Sequence, residues 1–478
     1  MRRFTILCLG IALLSAACTG ARPLDRELAA DRRGNGSLDA GDPESPNFTG
    51  TTVVDGGDPL AGIGSATTLP NLPGRGTTAT TNAGGTPGTA RSTLFQANED
   101  TAGITKNSIT LCVHAALTYG AAFHTTEDDL NVFWSALNDA GGIYGRKVSV
   151  TYENDNYDPD TATAAATACK GKNPFFLVGG IGFDQIPAVR NWAETNRMLY
   201  IHHTATVEGT AHQRFSFTAL PSTEKMGEMF AELMATRFKG KTIGIIKRNS
   251  PNWEPGINGF KALAKKYGIK IAAEESVEKI QGSYTQELLA MEGADVIWLW
   301  ENALSALQIV KQAKAQQIDK QFLLFPFNLT SQKLGEDAMN PPLAGISMHP
   351  AYSYKDYSGQ FASYADDMKT FEAQYAKYRP DAEIDGLAGD LLFLNWSGMK
   401  GLALMLQKCG PDCTRNKLID VMTSLKVSRP FGSACNIDFT RPGFPRQGGF
   451  ATHVMETYHA PSGQVNWRNT NTCVEHLL

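Results

Sequence analysis

The stretch Phe133–Pro159, FWSALNDAGGIYGRKVSVTYENDNYDP, predicts one complete unit of an α/β fold. Its apolar positions, beginning with Trp134, have helical spacing, and a glycine-rich turn, Gly141–Gly145, follows them. VSVTY then alternates in period two, as a half-buried strand does. Asp158 followed by Pro159 is typical of the start of a helix. A helix, a turn, a strand and a second helix are therefore expected in succession.

Strands alternate with helices on both sides of this stretch. The strands predicted before Leu220-Pro221 are Ile109–Ala115, Lys147–Tyr152, Phe175–Val178 and Met198–Ile201. Those predicted after it are Thr242–Lys247, Lys270–Ala273, Asp295–Trp300 and Gln321–Phe325. Helices are expected between them, and again from Asp366 to Leu425. Such alternation implies parallel sheets with right-handed crossovers, so the fold class is α/β with two series of elements.

Composition and charge narrow the function. The chain has 478 residues, 42% of them hydrophobic, which is enough for two cores, and a formal net charge of −4. This weak acidity gives no basic surface for nucleic acid. The sequence contains no G-x-S-x-G elbow, P-loop or H-E-x-x-H motif, so neither an enzyme nor a cofactor is expected, although separated side chains could still assemble a site in space.

Residues 1–17 have the pattern of a signal peptide. Arg2 and Arg3 are followed by a short apolar run, Ile6–Leu14, and by a small-residue cleavage site. The tetrapeptide ending in Cys18 resembles the lipobox of bacterial lipoproteins, so Cys18 is a candidate lipid anchor. Ordinary cleavage after Ala17 is the alternative. Export is expected, with the protein held on the outer face of the cell membrane or located in the periplasm.

Residues 18–103 are rich in Gly, Thr, Pro, Asp and Ser and lack hydrophobic periodicity. Such a segment buries too little apolar surface to offset the entropy lost on ordering. It is therefore expected to be a disordered tether between the anchor and the folded region.

Six cysteines outside the signal and anchor suggest disulfides in an exported chain, and six allow fifteen full pairings. Proximity favours Cys409 with Cys413, and elimination then gives Cys435 with Cys473 and Cys112 with Cys169. A buried free thiol is the alternative for Cys112. No zinc-type spacing occurs, so no metal is expected.

The opening stretch also resembles a known family. Its N-x-x-G-G-x-x-G-R run and following Y-E-x-D-x-Y-D-P segment are similar to those of the extracytoplasmic solute receptors of branched-chain-amino-acid-type ABC transporters. The resemblance implies the type I periplasmic binding fold, with two Rossmann-like lobes joined by a three-stranded hinge. It places lobe one at residues 104–220 plus 346–428 and lobe two at 221–345 plus 429–478. It also implies a monomer whose partners are a small solute and a permease.

Candidate ligand-binding residues follow from the rule that parallel α/β sheets bind ligands beyond the carboxyl ends of their strands. Comparison with the family's loops and the charge of nearby side chains refine the choice. The resulting set is Thr118, Tyr119, Gly182, Phe183, Asp184, Thr204, Ala205, Thr206, Trp253, Trp300, Glu301 and Asn328. Lys247 and Arg248 also end a strand, where they could attract an anion, but solvated side chains are the favoured interpretation.

Several of these residues have a structural alternative. Asp184 could pair with a ligand amine or instead cap a helix that starts at Gln185. Trp253 could form an aromatic wall or merely pack at a helix start. The family's acidic residue for a ligand ammonium is replaced by Asn328, which argues against an α-amino acid unless Asp184 or Glu301 substitutes.

The expected function is a receptor that binds a small polar solute, such as an amino acid, an amide or a small organic acid, between its lobes. The solute would then be delivered to an ABC permease. A ligand-sensing or envelope-regulating lipoprotein with the same fold is the alternative.

Overall fold

The computed structural model describes twelve ranges of the chain, with gaps between them. They are residues 93–118, 126–180, 183–203, 213–278, 281–324, 342–347, 365–384, 386–427, 435–444, 446–459, 465–470 and 473–478. Within these ranges, no helix has the length and apolarity needed to cross a membrane.

Helices and strands alternate through most of the described chain. The helices are α1 Ala97–Asp100, α2 Glu127–Leu130, α3 Val132–Asp139, α4 Pro159–Gly171, α5 Ile186–Asn196, α6 Thr223–Arg237, α7 Glu254–Tyr267, α8 Thr285–Ala290, α9 Ala303–Ala315, α10 Ala365–Tyr378, α11 Gly386–Cys409 and α12 Arg415–Thr423. The strands are β1 Ser108–Ala115, β2 Lys147–Asn154, β3 Phe176–Gly179, β4 Tyr200–His202, β5 Ser216–Thr218, β6 Ile243–Arg248, β7 Ile271–Val277, β8 Val296–Trp300, β9 Gln321–Leu324, β10 Ala344–Ser347, β11 Lys426–Val427, β12 Ile437–Asp438, β13 His453–His459 and β14 Val465–Asn469.

Lobe one is built on a parallel sheet with strand order β2-β1-β3-β4-β5. Helices α4 and α5 cover one face, where Ala166 and Val189 are buried. Helices α3, α10 and α11 cover the other, where Trp134 and Phe393 are buried. Covering both faces explains why the strands read as continuous apolar runs.

Lobe two is built on a sheet with strand order β14-β13-β10-β9-β8-β6-β7, parallel from β10 to β7 and antiparallel at β13 and β14. Helices α6 and α7 pack together on one face, where Trp298 is buried. Their close approach requires glycine, because a Cβ on Gly227 would lie 1.7 Å from the carbonyl oxygen of Gly256. Two α/β lobes are present, as the sequence predicts.

The opening stretch forms the elements expected of it. Helix α3 is followed by glycines with positive φ, including Gly142, whose Cβ would lie 2.0 Å from the Arg146 carbonyl oxygen. The Asn138 side chain donates to the Val148 carbonyl and accepts from the Val148 N–H, both at 2.8 Å, and so fastens the helix end to β2. Asp158 caps α4 by accepting from Thr161 N at 2.8 Å.

The lobes are joined where β5 passes into α6. Thr218 N donates to the carbonyl of Arg446, and Gly448 N donates to the carbonyl of Thr218. A Cβ on Gly449 would lie 2.3 Å from the Ala219 carbonyl oxygen, so the two segments cross in direct backbone contact. A further predicted crossover, near residues 429–432, lies outside the described residues.

Three elements differ from expectation. The helix expected between the first two strands is divided at Asn131 into α2 and α3, and the Thr126 and Asp129 side chains close a capping box around the single turn of α2. Strands β5 and β10 are too short to show alternation in the sequence. Because β10 ends at Ser347 in the sheet of lobe two, residues 346 and 347 belong to that lobe.

Residues 93–103 belong to the folded region, so the part of the prediction that assigned them to the tether is wrong. Phe95 is buried against Phe215, with ring centroids 5.3 Å apart. The Asn416 side chain accepts from Phe95 N at 3.0 Å and donates to the Phe95 carbonyl at 2.9 Å. Two adjacent apolar residues, Leu94 and Phe95, give no periodic signal, which is why the sequence does not reveal this contact.

The three disulfides favoured by proximity and elimination are present: Cys112–Cys169, Cys409–Cys413 and Cys435–Cys473. The first links β1 to α4 within lobe one, and both sulfurs are fully buried. The free-thiol alternative for Cys112 is therefore wrong.

Candidate functional site

Asp184 of lobe one contacts lobe two directly. It lies between β3 and α5, at the carboxyl edge of its sheet, and its Oδ1 accepts from Trp253 Nε1 at 2.8 Å. The Asn252 side chain donates to the Asp184 backbone carbonyl, also at 2.8 Å. Asn252 and Trp253 lie between β6 and α7, at the carboxyl edge of the other sheet. The ligand-binding edges of the two lobes therefore meet at this point.

A buried charge cluster extends from this contact into lobe two. Arg248 Nη2 lies 3.6 Å from Asp184 Oδ2, and Arg248 Nη1 donates to Glu301 Oε1 at 3.0 Å. Only 8% of Asp184, 2% of Arg248 and 1% of Glu301 is exposed. Arg248 ends β6 and Glu301 directly follows β8, so neighbouring parallel strands bring the two side chains together. One guanidinium thus serves two carboxyl groups, one from each lobe.

The two oxygens of Glu301 have different environments. Oε1 accepts from Arg248 and also from Asn302 N at 2.7 Å. Oε2 is buried and has no hydrogen-bond partner among the described residues. Burial raises the pKa of the Glu301 carboxyl to about 8, against the opposing effect of Arg248. Glu301 therefore carries a proton at neutral pH.

Aromatic side chains surround the cross-lobe contact. The Phe183 and Trp253 rings lie 4.7 Å apart, one from each lobe. Trp300 is fully buried and donates from Nε1 to the Trp253 carbonyl at 2.8 Å. Its ring packs directly on Gly256, where a Cβ would lie only 2.3 Å from it. Trp300 therefore holds the turn that carries Trp253.

A buried polar network holds the lobe-one side of the contact. Asp155 accepts from Gln185 Nε2 at 3.0 Å and from Tyr157 N at 3.0 Å, and lies 2.7 Å from His114 Nδ1. His114 Nε2 lies 2.8 Å from the Tyr200 hydroxyl. Burial raises the pKa of Tyr200 well above its usual range, so the hydroxyl stays protonated and donates to Nε2 while Nδ1–H donates to Asp155. Gln185 follows Asp184, so the network fixes the loop that reaches lobe two.

Glycine is required within this network. A Cβ on Gly179 would lie 2.5 Å from the Tyr200 hydroxyl and would prevent it from reaching His114. A Cβ on Gly398 would similarly meet the ring of His203 at 2.0 Å, so α11 packs directly on that buried histidine. His202 is also fully buried, at the end of β4.

Part of the predicted site lies outside the described residues: Tyr119, Gly182, Thr204, Ala205, Thr206 and Asn328. Of the rest, Asp184 and Glu301 contact Arg248. Trp253 donates to Asp184 and packs against the rings of Phe183 and Trp300. Thr118 is exposed after β1, and its hydroxyl accepts from Asn154 Nδ2 at 2.7 Å.

Two interpretations are corrected by the structure. Helix α5 begins at Ile186 with Gln185 at the N-cap and no side-chain cap, so the capping alternative for Asp184 is wrong. Arg248 is buried rather than solvated, because its guanidinium lies beside the Asp184 carboxyl group and donates to Glu301 Oε1. Lys247 lies on the other face of β6, 2.6 Å from Glu254 and 3.1 Å from Glu274. Alternation along β6 could have separated the two cations, but only the fold supplies the partners of Arg248.

One group of side chains in the described ranges has metal-ligand geometry. Ligand atoms of Cys435, His453 and Cys473 lie within 4.8 Å of one another. The two sulfurs are joined in a disulfide, and the His453 ring nitrogens already have neighbours in Asn469 Nδ2 and Cys473 Sγ.

The comparisons with known proteins agree with this architecture. Residues 130–460 match the family described as periplasmic binding protein. The leucine-, isoleucine-, valine-, threonine- and alanine-binding protein of Pseudomonas aeruginosa is 22% identical over 191 residues, which are 39% of this chain and 51% of that protein. The chain thus spans about half the length of that relative. The Leu/Ile/Val-binding protein homolog 1 of Brucella suis biovar 1 is 24% identical over 328 residues, 67% of this chain and 82% of that protein.

Solved structures support the fold. A fatty acid ABC transporter substrate-binding protein from Thermomonospora curvata superposes with a TM-score of 0.64 at 17% identity, covering 79% of this chain and 94% of the other. Two α/β lobes that meet at the carboxyl edges of their sheets are the architecture expected of the type I periplasmic binding fold. The chain belongs to the periplasmic binding protein family, and within it to the branched-chain-amino-acid type with the type I fold. Its relatives bind solutes and are not enzymes, which confirms the prediction from the sequence.

Proposed function

We propose that this substrate-binding protein is an extracytoplasmic receptor that captures a small polar solute between its lobes and delivers it to an ABC permease. The observation that carries the proposal is the contact of Asp184 with Trp253 and Arg248, because it joins the ligand-binding edges of two separate sheets. A solute bound there touches both lobes and stabilises their closed arrangement, and such differential affinity is sufficient for a receptor.

The proposed ligand-binding surface consists of Phe183, Asp184, Trp253 and Glu301. Trp300 supports Trp253, and Arg248 lies beside Asp184 and donates to Glu301. Gly182, Thr204, Thr206 and Asn328 lie outside the described residues and stay in the proposal as candidates from the sequence. Lobe one is proposed as 104–220 plus 346–428, with residues 93–103 added and residues 346 and 347 removed. Lobe two is proposed as 221–345 plus 429–478, with residues 346 and 347 added.

Export by the signal peptide, anchoring through Cys18 and a monomeric state remain parts of the proposal. Ligand sensing or envelope regulation without transport is the second candidate. It rests on the same fold and shares the same solute site.

A thermal-shift screen tests the proposal. Amino acids, amides and small organic acids are tested one at a time against the purified mature protein. A true ligand raises the melting temperature by mass action, with a dependence on concentration that gives its Kd. The Asp160→Ala variant, altered on the exposed first turn of α4, serves as a control that should respond as the wild type does. Absence of any shift across the three classes would contradict the receptor function.

A further inference from the structure

The chemical class of the solute can be narrowed from the asymmetry of Glu301, given the receptor function proposed above. Oε1 is occupied by two donors, the guanidinium of Arg248 and the N–H of Asn302. Oε2 is buried without a partner in the described part of the chain. A proton on this carboxyl must therefore reside on Oε2, because Oε1 already accepts two hydrogen bonds. The result is a buried O–H donor without an acceptor.

Such a donor is costly. A buried polar group without a hydrogen-bond partner keeps the full cost of its desolvation, which is recovered when an acceptor binds. Glu301 directly follows β8, at the carboxyl edge of the sheet, where ligands bind in this kind of fold. Arg248 contacts both Glu301 and Asp184, so Glu301 lies next to the contact between the lobes. The missing acceptor is therefore expected from the solute.

The charge balance of the cluster decides which acceptor fits. Asp184 and Arg248 neutralise each other, and Glu301 adds no charge when it is protonated. A solute ammonium would be repelled by Arg248 and would have to displace the Glu301 proton. A solute carboxylate would place a further negative charge beside Asp184. A neutral carbonyl oxygen meets neither penalty, because it accepts the Oε2 proton and leaves the cluster neutral.

We propose that Glu301 Oε2–H is the hydrogen-bond donor of a subsite for a neutral carbonyl oxygen, and that the receptor selects amides over the corresponding amines and acids. The Phe183 and Trp253 rings offer an apolar surface for the rest of such a molecule. Arg248 is the positioning residue, since its bond to Oε1 directs the proton to Oε2.

The affinity for an amide should depend on pH with a defined sign. The charged and titratable groups facing Glu301 are Arg248 on β6, Asp184 before α5, Glu278 after β7 and Tyr284 before α8. Arg248 favours ionisation, while Asp184, Glu278 and burial oppose it, so the pKa of Glu301 is raised to about 8. Amide binding is therefore retained at neutral pH and lost as the pH rises through this value.

The test uses two matched sets of probes and three variants of the full mature protein. The sets are isovaleramide, isovalerate and isoamylamine, and benzamide, benzoate and benzylamine. Glu301→Gln keeps a neutral donor and an acceptor in the same places, whereas Glu301→Met has neither. Glu292→Gln, on an exposed carboxylate, is the control. Binding is measured by calorimetry at pH 7 and pH 9, and circular dichroism verifies that each variant is folded.

We expect an amide to bind at pH 7 with a Kd below about 1 mM, and to bind at least about tenfold more weakly to Glu301→Met. Glu301→Gln should retain the affinity to within about threefold and should lose the weakening at pH 9. Tighter binding of either amine or either acid than of its amide would overturn the inference while leaving the receptor function intact. Failure of both amides to bind at this level also overturns it. If, in addition, no solute in the broader thermal-shift screen binds, the proposed receptor function is contradicted as well.

Discussion

Removing the indole N–H of Trp253 should weaken the contact between the lobes. Trp253→Phe keeps a ring opposite Phe183 but deletes the donor that lies 2.8 Å from Asp184 Oδ1. A hydrogen bond to a charged acceptor contributes about 1.5–3 kcal/mol, and Asp184 is too deeply buried for water to replace it fully. The free energy of unfolding should fall by roughly that amount, plus about 1 kcal/mol for the smaller ring. Urea denaturation followed by circular dichroism measures the change.

A double-mutant cycle separates the hydrogen bond from the loss of packing. Asp184→Asn is combined with Trp253→Phe, and the coupling energy between the two is expected to be about 1–3 kcal/mol. Trp467→Phe is the matched control, because Trp467 is a buried tryptophan whose Nε1 has no hydrogen-bond partner among the described residues. A coupling energy below about 0.5 kcal/mol, or an equal loss in the control, would refute a stabilising bond between the lobes.

Three further predictions concern stability. Gly227→Ala should lower the free energy of unfolding by about 3 kcal/mol or more, because the new Cβ meets the Gly256 carbonyl oxygen at 1.7 Å. The control is Gly240→Ala, at a surface glycine with positive φ, which should lower it by only about 1 kcal/mol. Equal losses in the two variants would contradict the packing argument. Replacing Cys112 and Cys169 with alanine should destabilise the protein by about 4 kcal/mol, and replacing Cys409 and Cys413 by about 2 kcal/mol. The costs differ because the first disulfide closes a loop with a sequence separation of 57 and the second one of 4. The reverse order of the urea midpoints would refute this prediction. The pKa of Glu301 is about 8 in the folded state and the ordinary 4.5 when unfolded, so its contribution to the free energy of unfolding falls as the pH rises between these values. Glu301→Gln should therefore reduce the decline of the unfolding free energy with pH. An unchanged slope of unfolding free energy against pH would contradict the prediction.

The sequence predicts the framework well because its signals are local. The glycines after α3, the cap at Asp158 and the period-two strand β2 act on neighbouring residues, so their spacing is sufficient to place them. The same holds for the Cys409–Cys413 disulfide, whose cysteines are four residues apart. The alternation of strands and helices in two series, and hence two α/β lobes, can be predicted from these local signals.

The site is predicted less completely because its contacts are distant in sequence. Asp184 and Trp253 are each identified at the end of a strand, but only the folded chain shows that they bind each other across 69 positions. The sequence favours a solvated Arg248 for the same reason, since its two partners, Asp184 and Glu301, lie on other elements. The network of Asp155, His114 and Tyr200 has no sequence signal other than polar residues within apolar strands.

The most direct test of the receptor function is calorimetric titration of the best ligand from the solute screen into the wild type, Asp184→Ala and the exposed control Asp160→Ala. The proposed function predicts one site per chain and an affinity that falls at least about tenfold in Asp184→Ala but is unchanged in the control. An unchanged affinity in folded Asp184→Ala would contradict binding between the lobes at this contact.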